Sequence, residues 1–436
     1  MTIERREGGR AGVSDGPPSQ SSTREIEAPR LVPDAKELRP RFGSWDLWSG
    51  LVPLVFMNHA GISAPSVVVR KAITGMLNDY GKRGAAAYPS WAAQRARLKT
   101  KLATLLNAQP ADFALTQNTT SGVIAIATCF DWKPGDRVVV FEGEFPANVT
   151  PWLRAAATFG LEAVRLDARQ YLVDRGGALE ALKTVLAAGR VRMVAVSAVE
   201  FQTGLRMPLA EMAAAAHAHG ARLFVDAVQA CGVVPIDVGA MGIDYLASGA
   251  HKWLMGVEGA GFVYASPEAV GDLVPRLAGW LSHVDPVRFL FDGPGLIDYD
   301  KPFKSTIDFL EGGNVSASSF VGLEASLDLL LELGIENIYN HVLAIGDALE
   351  AAAVERGMRS LRAAEREGRS GMVCVLPPES IDVVAFYREL TNQGIACAVP
   401  DGVVRFSPHW PNAVDESEQV ALAIEQALAA CRGSAG

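Results

Sequence analysis

From residue 98 to residue 265, short apolar runs alternate with stretches of helical spacing, and that rhythm leaves few folds open. Residues 113–115, 137–140, 191–197, 222–225, 245–247 and 261–265 are mostly apolar runs bounded by turn-forming residues. A strand that is apolar on both sides needs cover on both faces. The helical stretches around Leu98, Leu102, Leu105 and Leu106, at residues 123–129 and at residues 209–219 supply it. The pattern predicts an α/β fold with a mostly parallel sheet between helical layers. Ligands of such sheets sit at the carboxyl ends of the strands, so polar residues at those ends are the ones to examine.

A second region opens near Gly312, where helical spacing at 320–333, 338–356 and 417–431 surrounds short strands at 372–376 and 403–406. We expect a large domain at 76–311, a smaller α+β C-terminal domain at 312–436, and an arm at 41–75 that joins the smaller domain, with helical spacing over 66–80. Residues 1–40 carry Gly16-Pro17-Pro18-Ser19-Gln20-Ser21-Ser22 and few large apolar groups. They cannot bury enough surface to offset the entropy of ordering and read as a mobile tail.

The chain of 436 residues has 40 Lys plus Arg against 49 Asp plus Glu, a formal net charge of −9. That excess of acid argues against general affinity for nucleic acid or anionic membrane. No apolar run approaches the roughly 20 residues that span a bilayer, and none follows the basic first residues as an export signal requires. Cys129, Cys231, Cys374, Cys397 and Cys431 are odd in number and scattered. They show neither zinc spacing nor a disulfide framework, which fits a reducing cytoplasm and no metal site.

Two strand ends carry opposite charges. Leu223-Phe224-Val225-Asp226 puts a carboxylate where an apolar strand stops, and alone it reads as a helix cap or half of a structural ion pair. Tyr245-Leu246-Ala247-Ser248-Gly249-Ala250-His251-Lys252 then delivers a lysine just past the next strand. A desolvated amine of lowered pKa is a nucleophile toward an aldehyde. Pyridoxal 5′-phosphate (PLP) needs a lysine for its aldehyde and an acid against its ring nitrogen. It also needs a donor to its phenolic oxygen, a ring-stacking group and a phosphate cage. Lys252 and Asp226 are the candidates for the first two, and Gln229 for the third. Thr119, Thr120 and Ser121 open an apolar helix whose first N–H groups suit an anion, with Ser248 and His251 closing the cage from the lysine loop. Phe145, in Glu144-Phe145-Pro146-Ala147-Asn148, is the stacking candidate, while Trp152 reads as core. Arg405 lies in the apolar run Val403-Val404-Arg405-Phe406. Either an internal salt bridge or a substrate carboxylate satisfies a guanidinium there.

The order and spacing of Asn118-Thr119-Thr120-Ser121-Gly122, Glu144-Phe145-Pro146-Ala147-Asn148, Asp226-x-x-Gln229 and Ser248-Gly-Ala-His251-Lys252 resemble the class V aminotransferase family of fold-type I PLP enzymes. That family includes cysteine desulfurases, isopenicillin N epimerase and C-S lyases. The resemblance implies a PLP-transferase fold whose large domain holds a mostly parallel seven-stranded sheet. It also implies a homodimer with the active site at the subunit interface, and a carboxylate-binding role for Arg405. Phe56-Met57-Asn58-His59-Ala60-Gly61 is similar to the segment that lines the family's substrate pocket, which implicates Asn58 and His59. Two departures stand out. Phe145 occupies a place that is histidine in desulfurases, and the family's Gly-Thr turn, which reaches the partner's phosphate, reads Gly312-Gly313-Asn314 here, leaving Asn314 as the substitute.

Desulfurases of this kind carry a nucleophilic cysteine on a mobile loop before the carboxylate-binding arginine. The stretch from Gly394 to Arg405 is too short for such a loop, and Cys397 among Ile395, Ala396, Ala398 and Val399 reads as a strand residue. The chemistry then falls to Lys252 as the base that removes a Cα proton. β-Elimination, including loss of a sulfur group, is the leading reading, ahead of transamination and epimerisation. A protein that binds PLP without catalysis is the alternative from another class.

Overall fold

A period of two in the strands settles which residues meet which layer. The computed structural model describes residues 55–433, so the expected tail and the start of the arm lie outside the described residues. In chain order the strands are β1 (Val55–Phe56), β2 (Phe113–Thr116), β3 (Arg137–Glu142), β4 (Glu162–Asp167), β5 (Val191–Ser197) and β6 (Arg222–Asp226). They continue with β7 (Tyr245–Gly249), β8 (Gly261–Ala265), β9 (Arg359–Ser360), β10 (Val373–Leu376), β11 (Ile395–Ala396) and β12 (Val404–Phe406). The large sheet has seven strands in the order β2-β8-β7-β6-β5-β3-β4. β8 runs antiparallel to both its neighbours, and all other pairings are parallel.

Leu223 and Val225 of β6 enter the core on one face with Met212 and Ala216 of the helix Leu209–His217, while Phe224 enters the other with Val123 and Ile126 of the helix Thr119–Cys129. Cover on both faces is therefore what the continuous apolar runs demanded. β4 escaped the sequence reading because it is an edge strand, paired only with β3, whose Glu162, Arg165 and Asp167 meet solvent. It carries no apolar run to detect.

The second region contains a three-stranded antiparallel sheet, β12-β10-β9, packed with the helices Ile335–Glu355, Val383–Asn392 and Glu416–Gly433. The arm fastens to it. β1 pairs in parallel with β11, and the backbone of Met57 donates to Ala396 and accepts from Ser407. No helix among the described residues is long and apolar enough to cross a membrane.

β3 leads outward to its neighbour β4, whereas β5, on its other side, leads the opposite way to β6. Loops leaving this switch point diverge and open a crevice at the strand ends. Asp226 ends β6, and the loops after β3, β5 and β7 surround it. The helix Thr119–Cys129 approaches the sheet closely because Gly122 has no side chain: a Cβ there would lie 2.8 Å from Val263 Cγ2 and 2.9 Å from Ala247 Cβ. Gly122→Ala is expected to lose about 1–3 kcal/mol by overpacking, read as a lower urea midpoint with unchanged slope.

Candidate active site

Asp226 is 3 % exposed, and one of its oxygens accepts the Val228 N–H at 2.9 Å. Burial pushes its carboxyl up to about 6, while that bond and Lys252 pull the other way. Lys252 follows β7, the neighbour of β6, and is partly buried. Burial brings its ammonium down to about 8 against the opposing pull of Asp226, and Arg405 lowers it further. Roughly one amine in ten is then free at pH 7. The two groups sense each other without closing to an ion pair.

Gln229 is oriented before any ligand arrives. Trp253 Nε1 donates to its Oε1 at 2.8 Å, and its Nε2 donates to the Ala60 carbonyl at 3.2 Å, which leaves one amide hydrogen to offer a phenolic oxygen. The lysine loop is held from outside as well. Ser63 N–H donates to the His251 carbonyl at 2.9 Å, and His409 Nε2 bonds the Trp253 carbonyl at 2.8 Å.

Asn118 caps the helix Thr119–Cys129, its Oδ1 accepting the Ser121 N–H at 2.8 Å and the Ser121 hydroxyl at 3.1 Å. That engagement ties the Ser121 hydroxyl to the cap. Thr119 Oγ1, by contrast, is buried without a partner. Beside it Gly249 leaves a hollow: a Cβ there would come within 3.0 Å of Thr119 Oγ1 and 3.4 Å of the His251 ring. A buried hydroxyl without a partner, an imidazole and a helix N-terminus around a missing side chain fit a phosphate. Thr120 is exposed on the same turn. The Ser248 hydroxyl is likewise buried without a hydrogen-bond partner, on the side of the strand opposite Ala247 and Gly249 and near Cys231.

The Phe145 ring centroid lies 5.5 Å from Lys252 Nζ, and its edge meets Phe201 in a T-shaped contact at 5.5 Å. The Phe201 carbonyl accepts Arg405 Nη1 at 2.7 Å. Arg405 is 5 % exposed, its Nε is buried without a partner, and among the described residues no carboxylate forms an ion pair with it. Cys374 and Glu200 act on it through space, but the Glu200 carboxylate accepts from the backbone of Gln202 and Thr203 and from the Thr203 hydroxyl. Burial lowers the Arg405 pKa. Two cations, Arg405 and Lys252, thus share a site that no described carboxylate other than Asp226 and Glu200 addresses, as an incoming carboxylate requires. Phe201, Glu200 and Glu144 carried no role in the sequence reading. Only Glu144, a carboxylate just past an apolar strand, left a signal there.

Asn58 lies in the arm with its amide folded over Gly61, where a Cβ would meet Oδ1 at 2.8 Å. His59 is fully buried between Phe56 and His409 and bonds Ser63 Oγ at 2.8 Å. It lies behind the lysine loop, fully buried. Asn314 is exposed in the loop ahead of the helix Ala317–Leu333.

Comparison with known proteins agrees with this geometry. The profile of the family described as aminotransferase class-V matches residues 58–404. A probable cysteine desulfurase of Methanothermobacter thermautotrophicus is 26 % identical over 405 residues, covering 85 % of this chain and 94 % of that protein. The crystal structure of the Escherichia coli cysteine desulfurase CsdA superposes with a TM-score of 0.77 at 23 % identity, covering 92 % of this chain and all of that one. The cystine C-S lyase C-DES, in complex with its product cysteine persulfide, gives 0.77 at 24 % identity over 85 % of this chain and 97 % of that one.

Because Asp226 stabilises the Lys252 ammonium, Asp226→Ala is expected to move the titration of that amine below about 8. The rate of amine labelling at Lys252 in cofactor-free protein, followed by mass spectrometry across pH, reads the midpoint directly. An unchanged or raised midpoint contradicts the coupling.

Proposed function

The chain belongs to the class V aminotransferase family of PLP-dependent enzymes, and on that premise we propose that it removes the Cα proton of an amino acid and expels a β-substituent, with a sulfur leaving group preferred. The observation that carries this reading is the state of the thiols. Cys129, Cys231, Cys374 and Cys397 are all buried, and Cys431 lies partly exposed on the last helix beside Glu389 and Asp382. Burial pushes Cys374 and Cys397 up to about 12. A thiol that keeps its proton and has no access to solvent is a poor sulfur acceptor. Sulfur transfer to the protein therefore lacks a nucleophile, whereas elimination needs only the base.

Bound through Lys252, PLP supplies the electron sink for the carbanion at Cα. Thr119, Thr120 and His251 with the helix start hold its phosphate, Asp226 faces its ring nitrogen, Gln229 its phenolic oxygen, and Phe145 its ring face. Arg405 grips the α-carboxylate through its free Nε edge, which fixes the direction of the Cα–H bond. Freed when the substrate amine takes its place, Lys252 Nζ takes that proton, the Cβ–S bond breaks with its electron pair on sulfur, and the thiol leaves protonated. Water completes the balance, so that one thioether amino acid and one water give one thiol, one pyruvate and one ammonium. Asn58 borders the pocket from the arm. The working unit in this proposal is a cytoplasmic homodimer in which the exposed Asn314 of one copy completes the phosphate site of the other.

Purified protein mixed with a panel of sulfur amino acids is expected to release thiol, pyruvate and ammonia in equal amounts without an added keto acid. Cys397→Ser leaves that rate within about twofold, since a buried thiol-to-hydroxyl change away from the base touches no step. Alanine and protein-bound persulfide formed from cysteine, and lost in Cys397→Ser, would redirect the reading to desulfuration, and a keto-acid requirement to transamination. Arg405→Lys is expected to raise KM about 10- to 100-fold, the loss of a charge-assisted fork, with a smaller effect on kcat.

A further inference from the structure

Phe145 lies over the Lys252 amine, yet packing does little to keep it there. It is 49 % exposed and borders an apolar groove of about 590 Å³ lined also by Thr120, Ile124 and Phe159. Its one aromatic neighbour is Phe201. A ring so open on one side keeps its place only if its backbone is tied down. After the ring, Asn148 N–H donates to the Phe145 carbonyl at 2.9 Å, and Asn148 Oδ1 accepts from Trp152 Nε1, whose indole is fully buried against Phe224. Before it, Glu144 turns inward from the loop after β3. Its Oε1 accepts the Ser197 N–H at 2.6 Å, and its Oε2 shares a hydrogen bond with the Ser197 hydroxyl. Ser197 ends β5 and pairs in register with Asp226 on β6.

We propose that Glu144 is a positioning residue: by its two hydrogen bonds to Ser197 it fixes Phe145 over Lys252 and ties the stacking ring to the strand end beside Asp226. It does so without placing a second anion beside Asp226. Burial pushes its carboxyl up to about 8, and the groups that face it, Asp226 from β6 and Glu200 from the loop after β5, push the same way against the two Ser197 bonds. Oε1 accepts from the Ser197 amide, and the Ser197 hydroxyl, the donor to Oε2 when the carboxyl is ionised, turns to accept from Oε2 once that oxygen carries the proton at neutral pH. Glutamine reproduces that donor and acceptor pattern, and alanine abolishes it.

The inference rests on the PLP site and not on the reaction chosen, so cofactor affinity is the first readout. Apo-protein of E144A, E144Q, F145L and the double variant E144A/F145L is titrated with PLP by absorbance. E144A is expected to bind roughly tenfold more weakly, E144Q within about threefold of the parent, and E144A to cost nothing further once Phe145 is Leu. A penalty for E144A that persists beside F145L, or an E144Q as weak as E144A, overturns the proposal. The second readout is stability in urea across pH. A carboxyl that holds its proton to about 8 when folded, from a reference of 4.5, makes folding less favourable as pH rises between those values and has no further effect above them. E144Q is expected to lose that decline, and parallel pH profiles for parent and E144Q would refute the neutral clamp even if E144A fails to fold.

Discussion

Asp226 and Lys252 stand at the ends of adjacent strands, both withdrawn from water, opposed in charge and not in contact. Burying either one alone costs several kcal/mol, and the attraction between them recovers only part of that cost. The compensation is incomplete, which is why burial leaves the carboxyl near 6 and the amine near 8. A site poised in that way favours a ligand that brings a protonated nitrogen to the acid and an aldehyde to the amine. The remaining architecture keeps these two groups in place.

Three segments far apart in sequence brace the lysine loop. The arm does so through Ser63 and through Ala60, which Gln229 reaches; the large domain through Gln229 and Trp253; and the C-terminal region through His409. His409 is fully buried, and its ring bonds the Trp253 carbonyl through Nε2 and accepts the Trp410 N–H at Nδ1. Both bonds are met by one neutral tautomer, in keeping with a pKa pushed by burial down to about 3. On the other side of the amine, Arg405, Phe201 and Phe145 form a continuous line of contacts. Rigid support for a reactive group is what converts a lysine into a usable base.

Much of this was legible in the chain. An apolar strand that ends in a charge advertises a costly burial, so Asp226 and Lys252 could be read without coordinates, as could the capped helix at Asn118. β4 was not legible, because an edge strand with one solvated face shows no apolar run. The surroundings of Ser248 and His59 were not legible either, since the pleat sets Ser248 on the face opposite Ala247 and Gly249 and the packing of Phe56 and His409 closes over His59. Arg405 allowed two readings, and the choice between them depended on where Glu200 spends its hydrogen bonds.

What the amino-acid order determined by itself was the succession of elements, their two-sided burial and the residues placed at strand ends, since these follow from local periodicity and the cost of stranding charge in apolar surroundings. What only the tertiary structure decided was which side chains share the crevice and in what protonation state. Glu144 shows the reason. Its bond partner ends a strand 53 positions away, and the carboxylates that help keep its proton on, Glu200 and Asp226, lie further still along the chain, which no local pattern records.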